Sequence, residues 1–440
     1  MSNGEKFQDS KALNLALGNS FDRHVLGGYR FLMRHYRNGT KVFILGFSRG
    51  AYTARFLNEM LDYAGLLGPD NEEALPFVWD AFASFKLIRK DREVDHKKAH
   101  DAFQFLKYCR ATLCRPIERV HFLGMFDAVN SVAEFEVNVD RMPSSRIIRH
   151  AVSIDERRIK FRPTLLQLNK NKKRRYGHTL AHAMEKESED SAPPATTAGE
   201  KASNGEQKGG VDNDDDDWRQ DAQEVWFPGG HADIGGGFKK EEGEDWSLSH
   251  APLVWMVQEA HKAGLQTNDA VHKLLCYEDS RSTTDPSVDL PTSRQSFLDA
   301  LHSGSTRGTM HNHLRYGGGL PFWTTISWRL FEYLPFRRQD LQPDGRWKVV
   351  RWPPPLGSPR GIPEDAQIHV SAIQRMKADS SYRPRNLLRQ FSGEGTNTMN
   401  ATSESTEGGI GEWRVDQNKD DPVREVYLRK TSHNCREQGQ

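Results

Sequence analysis

The 440-residue sequence has few cysteines and almost no net charge. Its four cysteines contain no CxxC pair and are too few and too scattered for a disulfide framework or a structural zinc ribbon. The 61 basic and 60 acidic side chains leave a formal charge of +1, without the basic excess that is typical of proteins that bind nucleic acid. The composition therefore predicts no nucleic-acid partner.

Long apolar runs are also missing. No stretch approaches the roughly 18 to 20 apolar residues that are needed to cross a bilayer. The first 22 residues contain no charged leader followed by an apolar run, so they do not resemble a secretory signal. The expectation is a soluble, cytoplasmic protein.

What the chain does contain is a series of short apolar runs that alternate with helical patterns. Residues 24–36 place apolar side chains at helical spacing. The run KVFILGF at residues 41–47 is too short for a helix and is typical of a strand buried on both faces, and a helical pattern follows it directly. Residues 119–129 and 224–228 are further strand-like runs. Strands separated by helices predict an α/β protein whose mainly parallel sheet is flanked by helices.

Two polar segments are predicted to be disordered. Residues 186–217 are acidic and contain no aromatic residue, so they cannot bury enough apolar surface to offset the entropy lost on ordering. Residues 392–412 are similar in composition, and the rest of the chain to Gln440 adds mostly charge, so residues 391–440 are expected to form a disordered tail. The predicted folded domain therefore covers residues 12–390, interrupted by the acidic insertion.

The pentapeptide GFSRG places Ser48 between a strand pattern and a helix pattern. This is the context of a nucleophile elbow, in which a strained turn projects the serine hydroxyl at the carboxyl end of a strand. We expect Gly46 and Gly50 to keep side chains away from the tight turn, and the N–H of Arg49 to stabilise an oxyanion at the helix N-terminus. The alternative is an ordinary turn in which Ser48 caps the helix.

A nucleophilic serine needs a base and an acid that orients it. His231 follows a short strand and lies among five glycines in the sequence FPGGHADIGGGF, which suits a loop that approaches another backbone closely. Asp127 ends the second strand-like run, at the edge of the sheet where the serine is expected. Asp155 and Asp233 remain alternative acids. The pair His231-x-Asp233 with Asp127 could instead be ligands of a metal-dependent phosphoesterase.

Five ordered motifs resemble one known family: GFSRGAYTARFL, FLGMFDAVNSV, HAVSIDERRIKFRP, VWFPGGHADIGGGF and IHVSAIQRMKADSSYRPRNL. This is the α/β-hydrolase family of the type VI secretion phospholipase effectors of the first lipase class and their uncharacterised eukaryotic relatives. The resemblance covers roughly residues 12 to 390. It implies a serine esterase with phospholipase A-type activity, an ester or phospholipid substrate and no cofactor. By position, Ser48 is similar to the family nucleophile, His231 to the family histidine, and Asp127 to a motif aspartate that is a candidate for the acid.

The sequence departs from the family pattern before the elbow. Family members begin with a strand and an F-D-G-T-like loop that contributes to the oxyanion hole, and no such segment is visible ahead of Ser48. Two expectations follow. Either the sequence is incomplete, or the chain is a catalytically degenerate member that keeps the scaffold for interactions.

One further segment, residues 320–338, is rich in aromatic side chains and ends in Arg337 and Arg338. An aromatic helix with a basic end predicts peripheral contact with a membrane surface, which a lipase requires. The alternative is a lid or core helix packed on the sheet.

Overall fold

The computed structural model describes residues 18–88, 96–129, 143–166, 220–268, 290–388 and 413–430, except for positions 239, 241, 243, 337, 343 and 344. The predicted acidic insertion at residues 186–217 lies outside the described residues.

The described residues form a central sheet of seven strands with the order β1-β4-β5-β6-β9-β11-β10. These strands are β1 (Phe43–Phe47), β4 (Phe122–Phe126), β5 (Ile147–Ser153), β6 (Asp221–Phe227), β9 (Gln367–His369), β10 (Trp413–Gln417) and β11 (Val426–Arg429). The first five in spatial order are parallel, and β11 and β10 continue the sheet in antiparallel pairing. Two small antiparallel pairs lie outside it, namely β2 (Leu66–Leu67) with β3 (Cys114–Arg115) and β7 (Arg338–Leu341) with β8 (Trp347–Val350).

Helices flank this sheet. In chain order they are α1 (Gly18–His35), α2 (Arg49–Ala64), α3 (Leu75–Ile88), α4 (His96–Thr112), α5 (His231–Gly235), α6 (His250–Lys262), α7 (Leu290–Arg307), α8 (Phe322–Phe331), α9 (Val370–Ala378) and α10 (Arg385–Leu388). Short 3₁₀ turns occur at Glu72–Ala74 and Ile159–Phe161. A mainly parallel sheet with flanking helices confirms the predicted α/β-hydrolase-like class.

Strand β4 shows how the two faces of the sheet are covered. Leu123 and Met125 belong to the apolar cluster that includes Ala51 and Ala54 of α2. Phe122, the neighbour of Leu123, belongs to the cluster that includes the apolar residues of α6. Because successive side chains of a strand point to opposite faces, this alternation places α2 and α6 on opposite sides of β4. Helices α2 and α6 therefore both pack against β4, and the candidate acid Asp127 follows the last residue of this strand.

The early elements lie close to the sequence predictions. The pattern at residues 24–36 belongs to α1, and the run at residues 41–47 contains β1. The expectation that β1 is buried on both faces is wrong. Among the described strands β1 lies at one end of the sheet, and the side chain of Leu45 is 44% exposed. A continuous apolar run therefore does not distinguish an edge strand from a central one here.

The expected tail from residue 391 onwards is wrong for residues 413–430. This segment forms β10 and β11, and β11 pairs with β9 of the central sheet. Val426 and Leu428 are buried, and alternate apolar residues allow this short, otherwise charged segment to cover one edge of the sheet. The folded domain therefore extends beyond residue 390. The remaining tail residues, 391–412 and 431–440, lie outside the described residues.

Candidate active site

Ser48 occupies a sharp turn between β1 and α2. Its backbone has φ 58° and ψ −122°, a conformation that few residues with a side chain adopt, and its N–H donates to the Phe126 carbonyl at 2.9 Å. The Ser48 side chain makes no capping hydrogen bond to α2, which argues against the ordinary-turn alternative. Ser48 as a residue is only partly buried. These features match a nucleophile elbow.

The two glycines of the motif differ in their importance for the turn. A Cβ atom on Gly46 would lie 2.4 Å from the Gly50 carbonyl oxygen, so that only glycine fits at this position. A Cβ atom on Gly50 would meet nothing within 4 Å. The steric expectation therefore holds for Gly46 and is wrong for Gly50.

Asp127 follows β4 directly and is fully buried. Its backbone also has a positive φ, 42°, and its N–H donates to the Ala151 carbonyl at 2.7 Å. The Ser153 N–H donates to Asp127 Oδ1 at 3.0 Å. The carboxylate is thus fixed at the carboxyl ends of two adjacent strands, β4 and β5.

His231 is the first residue of α5, which begins shortly after β6. Its Nδ1 lies 2.5 Å from Asp127 Oδ2, and its Nε2 lies 2.7 Å from Ser48 Oγ. In the neutral tautomer that fits both contacts, Nδ1–H donates to the carboxylate and Nε2 accepts from the hydroxyl. The sheet therefore brings together the three residues that the motifs singled out, although 183 positions separate Ser48 from His231.

Aromatic rings enclose the imidazole of His231. The rings of Phe47 and Phe161 each lie with their centroids 4.7 Å from the His231 ring. Gly235 makes the contact with Phe47 possible, because a Cβ atom at this position would lie 2.1 Å from the phenyl ring. The imidazole is thereby held in one orientation.

The two alternative acids have other partners. Asp233 Oδ1 lies 2.6 Å from His311 Nδ1, and its Oδ2 accepts from the Gly230 N–H at 2.7 Å. Asp155 Oδ2 accepts from the Gly229 N–H and from the Tyr382 hydroxyl, each at 2.8 Å. Both carboxylates therefore brace the segment that leads into His231 and do not contact its ring.

Glu156 braces the same segment from another side. Its Oε2 accepts from the His231 backbone N–H at 3.1 Å. The carboxylate is also paired with Arg158, at 2.8 Å, and this pair lowers the pKa of Glu156 to about 2 although burial would raise it. The guanidinium of Arg158 lies 3.7 Å above the ring of Phe161. Glu156 thus remains a charged acceptor for the first N–H of α5.

The most extensive contact of Asp127 is with Arg360, a residue that sequence reasoning missed. The two terminal nitrogens of Arg360 donate to Oδ1 at 2.6 Å and to Oδ2 at 2.9 Å. Burial would raise the pKa of Asp127, but the charge of Arg360 and the hydrogen bond from His231 outweigh burial and hold that pKa well below its usual range. The carboxylate is therefore ionised at neutral pH.

The arrangement around His231 offers little to a metal ion. Both ring nitrogens already have partners, and Asp233 is turned towards His311. Within the described ranges, no group of three or more His, Cys, Asp or Glu side chains is placed to hold a metal. No observation on these residues favours the metal-dependent phosphoesterase.

Helix α8 is linked to the imidazole through Phe161. Trp328 contacts Phe161 with a centroid distance of 5.3 Å, and Phe161 in turn contacts His231. Thr325 is the one residue of α8 that is buried, so the core-helix alternative is wrong. Exposed apolar side chains of this region are Phe322, Trp323, Leu330, Tyr333 and Leu334.

The sequence predicted that Arg337 and Arg338 form a basic end of residues 320–338 that faces a membrane. The structure does not place Arg338 in that role. Arg338 is buried and pairs with Asp340 at 2.7 Å, so it is not available to a lipid surface. Arg337 lies outside the described residues. Across the described part of the chain, no helix combines the length and apolar character that a membrane span requires.

Comparison with known proteins decides the family. The family model of the T6SS phospholipase effector Tle1-like catalytic domain matches residues 3–259, more than half of the chain. The chain belongs to this family. The resemblance inferred from the five motifs is confirmed, and a hydrolase role of the lipase or phospholipase kind follows for this member of the Tle1-like family. The matched range contains Ser48, Asp127 and His231, whereas Arg360 lies beyond it.

A eukaryotic relative is also found. An uncharacterized protein of Saccharomyces cerevisiae is 24% identical over 480 aligned positions, which cover 84% of this chain and 69% of the yeast protein. This similarity agrees with the expected eukaryotic relatives of the Tle1-like family. No solved structure matches the chain.

Proposed function

We propose that the chain is a serine esterase that cleaves carboxylic ester bonds in phospholipids, with Ser48 as nucleophile, His231 as general base and Asp127 as the orienting acid. One observation carries the proposal, namely the continuous hydrogen-bonded chain from Asp127 through His231 to Ser48. Membership of the Tle1-like family supports a lipid substrate.

The proposed reaction begins with proton transfer. His231 Nε2 takes the proton of the Ser48 hydroxyl while Oγ forms a bond to the ester carbonyl carbon. The negative charge of Asp127 stabilises the imidazolium that results and keeps Nδ1 protonated. The imidazolium then gives its proton to the departing alcohol oxygen as the carbon–oxygen bond breaks. Water, activated by the same imidazole, hydrolyses the acyl-serine to release the fatty acid.

The negative charge on the tetrahedral carbonyl oxygen needs hydrogen-bond donors. Arg49 is the first residue of α2, and the first N–H groups of a helix have no partner within the helix. The Arg49 N–H is therefore our candidate donor, at the positive end of the helix dipole. Loss of one such donor in a hydrolase costs about 100- to 1000-fold in rate.

We also propose that the exposed face of α8 contacts the lipid surface. The helix lies next to Phe161, which packs on His231, and its outer side carries Trp323 at 75% exposure and Leu330 at 63% exposure. Exposed aromatic and aliphatic side chains on an amphipathic helix are suited to the boundary between headgroups and acyl chains. This position would present a phospholipid ester close to Ser48.

A fluorophosphonate probe tests the proposed nucleophile. The wild-type chain should be labelled, the Ser48→Ala variant should not, and Ser381→Ala, which removes an exposed serine, should be labelled like the wild type. In the same preparations, release of fatty acid from phosphatidylcholine vesicles should be lost only in Ser48→Ala.

The alternatives give different results in this experiment. A folded wild-type chain that is not labelled would overturn the esterase and favour the non-catalytic interaction protein. Hydrolysis that a chelator abolishes and that Ser48→Ala leaves unchanged would favour the metal-dependent phosphoesterase.

A further inference from the structure

The carboxylate of Asp127 has an unusual second partner for an acid that orients a histidine. One oxygen, Oδ2, faces both His231 Nδ1 at 2.5 Å and a terminal nitrogen of Arg360 at 2.9 Å. The other oxygen, Oδ1, accepts from the second terminal nitrogen of Arg360 at 2.6 Å. A fork that binds both oxygens fixes the plane of the carboxylate as well as its position.

This contact is completely shielded from water. The side chains of Arg360 and Asp127 are 1% and 0% exposed. Arg360 also donates to the carbonyl oxygens of Ser153 and Phe161, which ties the guanidinium to the end of β5 and to the turn that carries the aromatic neighbour of His231. The Arg360 carbonyl in turn accepts from Asn386. Hydrogen bonds thus hold both the two terminal nitrogens and the backbone of Arg360 in place.

Further titratable groups lie around the pair. They are His150, Asp155, Glu156, Arg158, Arg162, Asp233, His311 and His313. Glu156 is paired with Arg158, and Asp233 with His311. Burial, together with the nearby Arg158 charge, lowers the pKa of His313 to about 4, so that this ring is uncharged at neutral pH. Among the described residues, Arg360 is the cation whose donors reach Asp127.

We propose that Arg360 is a positioning residue that acts on His231 through Asp127: its fork orients the carboxylate, and its positive charge stabilises the carboxylate anion in acidic solution. The inference rests on the proposed esterase function and adds a residue outside the matched family range.

The electrostatic consequence has a definite sign. A positive charge near a group that binds a proton lowers the proton affinity of that group, and low dielectric surroundings strengthen the effect. With Arg360 in place, the Asp127 carboxyl takes up a proton only in more acidic solution. Without it, this carboxyl is protonated in less acidic solution, and a neutral carboxyl does not stabilise the imidazolium that forms when His231 accepts the proton of Ser48. The ionised acid is thus available over a wider pH range because of Arg360.

The experiment measures the rate of fluorophosphonate labelling of Ser48 between pH 4 and pH 9 for the wild type and two variants. Arg360→Gln removes the charge, so the acidic limb of the rate profile should move to higher pH by about 1 to 2 units. Arg360→Lys keeps the charge but cannot bind both oxygens in one plane. Its acidic limb should stay within about half a unit of the wild type, while its maximal rate falls about tenfold or more.

Each outcome decides the inference. An acidic limb that does not move in a labelled Arg360→Gln variant overturns the role of the charge. Full labelling speed in Arg360→Lys overturns the role of the fork, and this variant remains informative if Arg360→Gln does not fold, as judged by circular dichroism. Failure of the proposed function itself gives a different result, because the wild type would then not be labelled at all.

Discussion

At the scale of single residues, the candidate site depends on two backbone conformations that are costly for residues with side chains. Ser48 and Asp127 both have positive φ angles. Such conformations cost on the order of 1 to 3 kcal/mol each and persist only where the surrounding structure holds them. Here the backbone N–H groups of both residues donate to carbonyls of neighbouring strands, at 2.9 Å and 2.7 Å. The packing of the sheet therefore maintains the geometry of the site.

The elbow gives the first prediction, through two glycines that differ in their surroundings. Gly46→Ala should lower the free energy of unfolding by about 2 kcal/mol or more, because the new Cβ atom would overlap the Gly50 backbone. Gly50→Ala is the matched control. Its Cβ atom meets nothing, and alanine near the start of α2 should be neutral or stabilising by up to about 1 kcal/mol. Thermal and urea unfolding would measure both, and equal destabilisation of the two variants would contradict this account of the turn.

Short motifs predicted Ser48, His231 and Asp127 because each lies at or shortly after the end of a strand-like run. Arg360 could not be predicted in the same way. It lies in an irregular proline-rich connection, 233 positions from Asp127, and the pattern around it has no helical or strand period. The motif SIDERR did contain Asp155 and Glu156, but their role as braces of the His231 segment depends on the approach of β6 to β5. A single sequence shows residue types and their spacing, but it does not show which strands become neighbours in the sheet.

At the scale of elements, strands with an unbroken apolar run could be predicted, and strands with charged residues could not. The central strand β5 was missed because it contains Arg149 and His150. In the structure Arg149 is buried between Glu259 and Asp221, at 2.7 Å and 2.6 Å, so that partners from elsewhere in the chain neutralise its charge. The strands β10 and β11 were missed for a related reason, since half of the residues at 413–430 are charged.

Helix α8 provides the second prediction. Replacing both Trp323 and Leu330 by serine should weaken binding to phosphatidylcholine vesicles about 30- to 900-fold, because each apolar side chain that enters a lipid surface contributes about 1 to 2 kcal/mol. Both side chains are exposed, so the stability of the fold should change little. Cosedimentation with vesicles would measure the binding.

A control variant on another surface distinguishes specific lipid contact by α8 from non-specific adsorption through any exposed apolar side chain. Phe77 on α3 is 69% exposed, and Phe77→Ser should leave vesicle binding unchanged. Hydrolysis of a soluble short-chain ester should be equal in all three proteins. The proposal for α8 is wrong if the double variant binds vesicles as the wild type does.

At the scale of the whole molecule, the site combines segments from most of the described chain. Ser48, Asp127 and His231 lie at the carboxyl ends of β1, β4 and β6, and Arg360 and Tyr382 arrive from the connection and turn around β9. Parallel strands end at one edge of a sheet, which is why distant residues meet there. The stability of the fold and the geometry of the site are consequently coupled.

Asp155 contributes both to the stability of the fold and to the geometry of the site. It gives a third prediction, which concerns how the free energy of unfolding depends on pH. Burial raises the pKa of Asp155 to about 6, although hydrogen bonds from Gly229 and Tyr382 oppose the rise. An unfolded chain releases this proton near pH 4, so between about pH 4 and pH 6 the folded state holds a proton that the unfolded state has lost. The contribution of Asp155 to the free energy of unfolding therefore falls as the pH rises through this window and is constant above it.

The variant Asp155→Asn removes this titration. The free energy of unfolding of the wild type, relative to that of the variant, should fall by on the order of 2 kcal/mol from pH 4 to pH 7. Urea unfolding of both proteins across this range would measure the difference. Two curves that stay parallel would contradict the raised pKa.

The long separation between Arg360 and Asp127 has a consequence for biosynthesis. A chain emerging from a ribosome presents Ser48, Asp127 and His231 well before it presents residue 360, and the segment that forms β11 follows later still. Until then Asp127 lacks its partner Arg360, and β9 lacks its neighbouring strand β11. A growing polypeptide with this order of parts assembles the complete candidate site only after residue 360 has emerged from the ribosome.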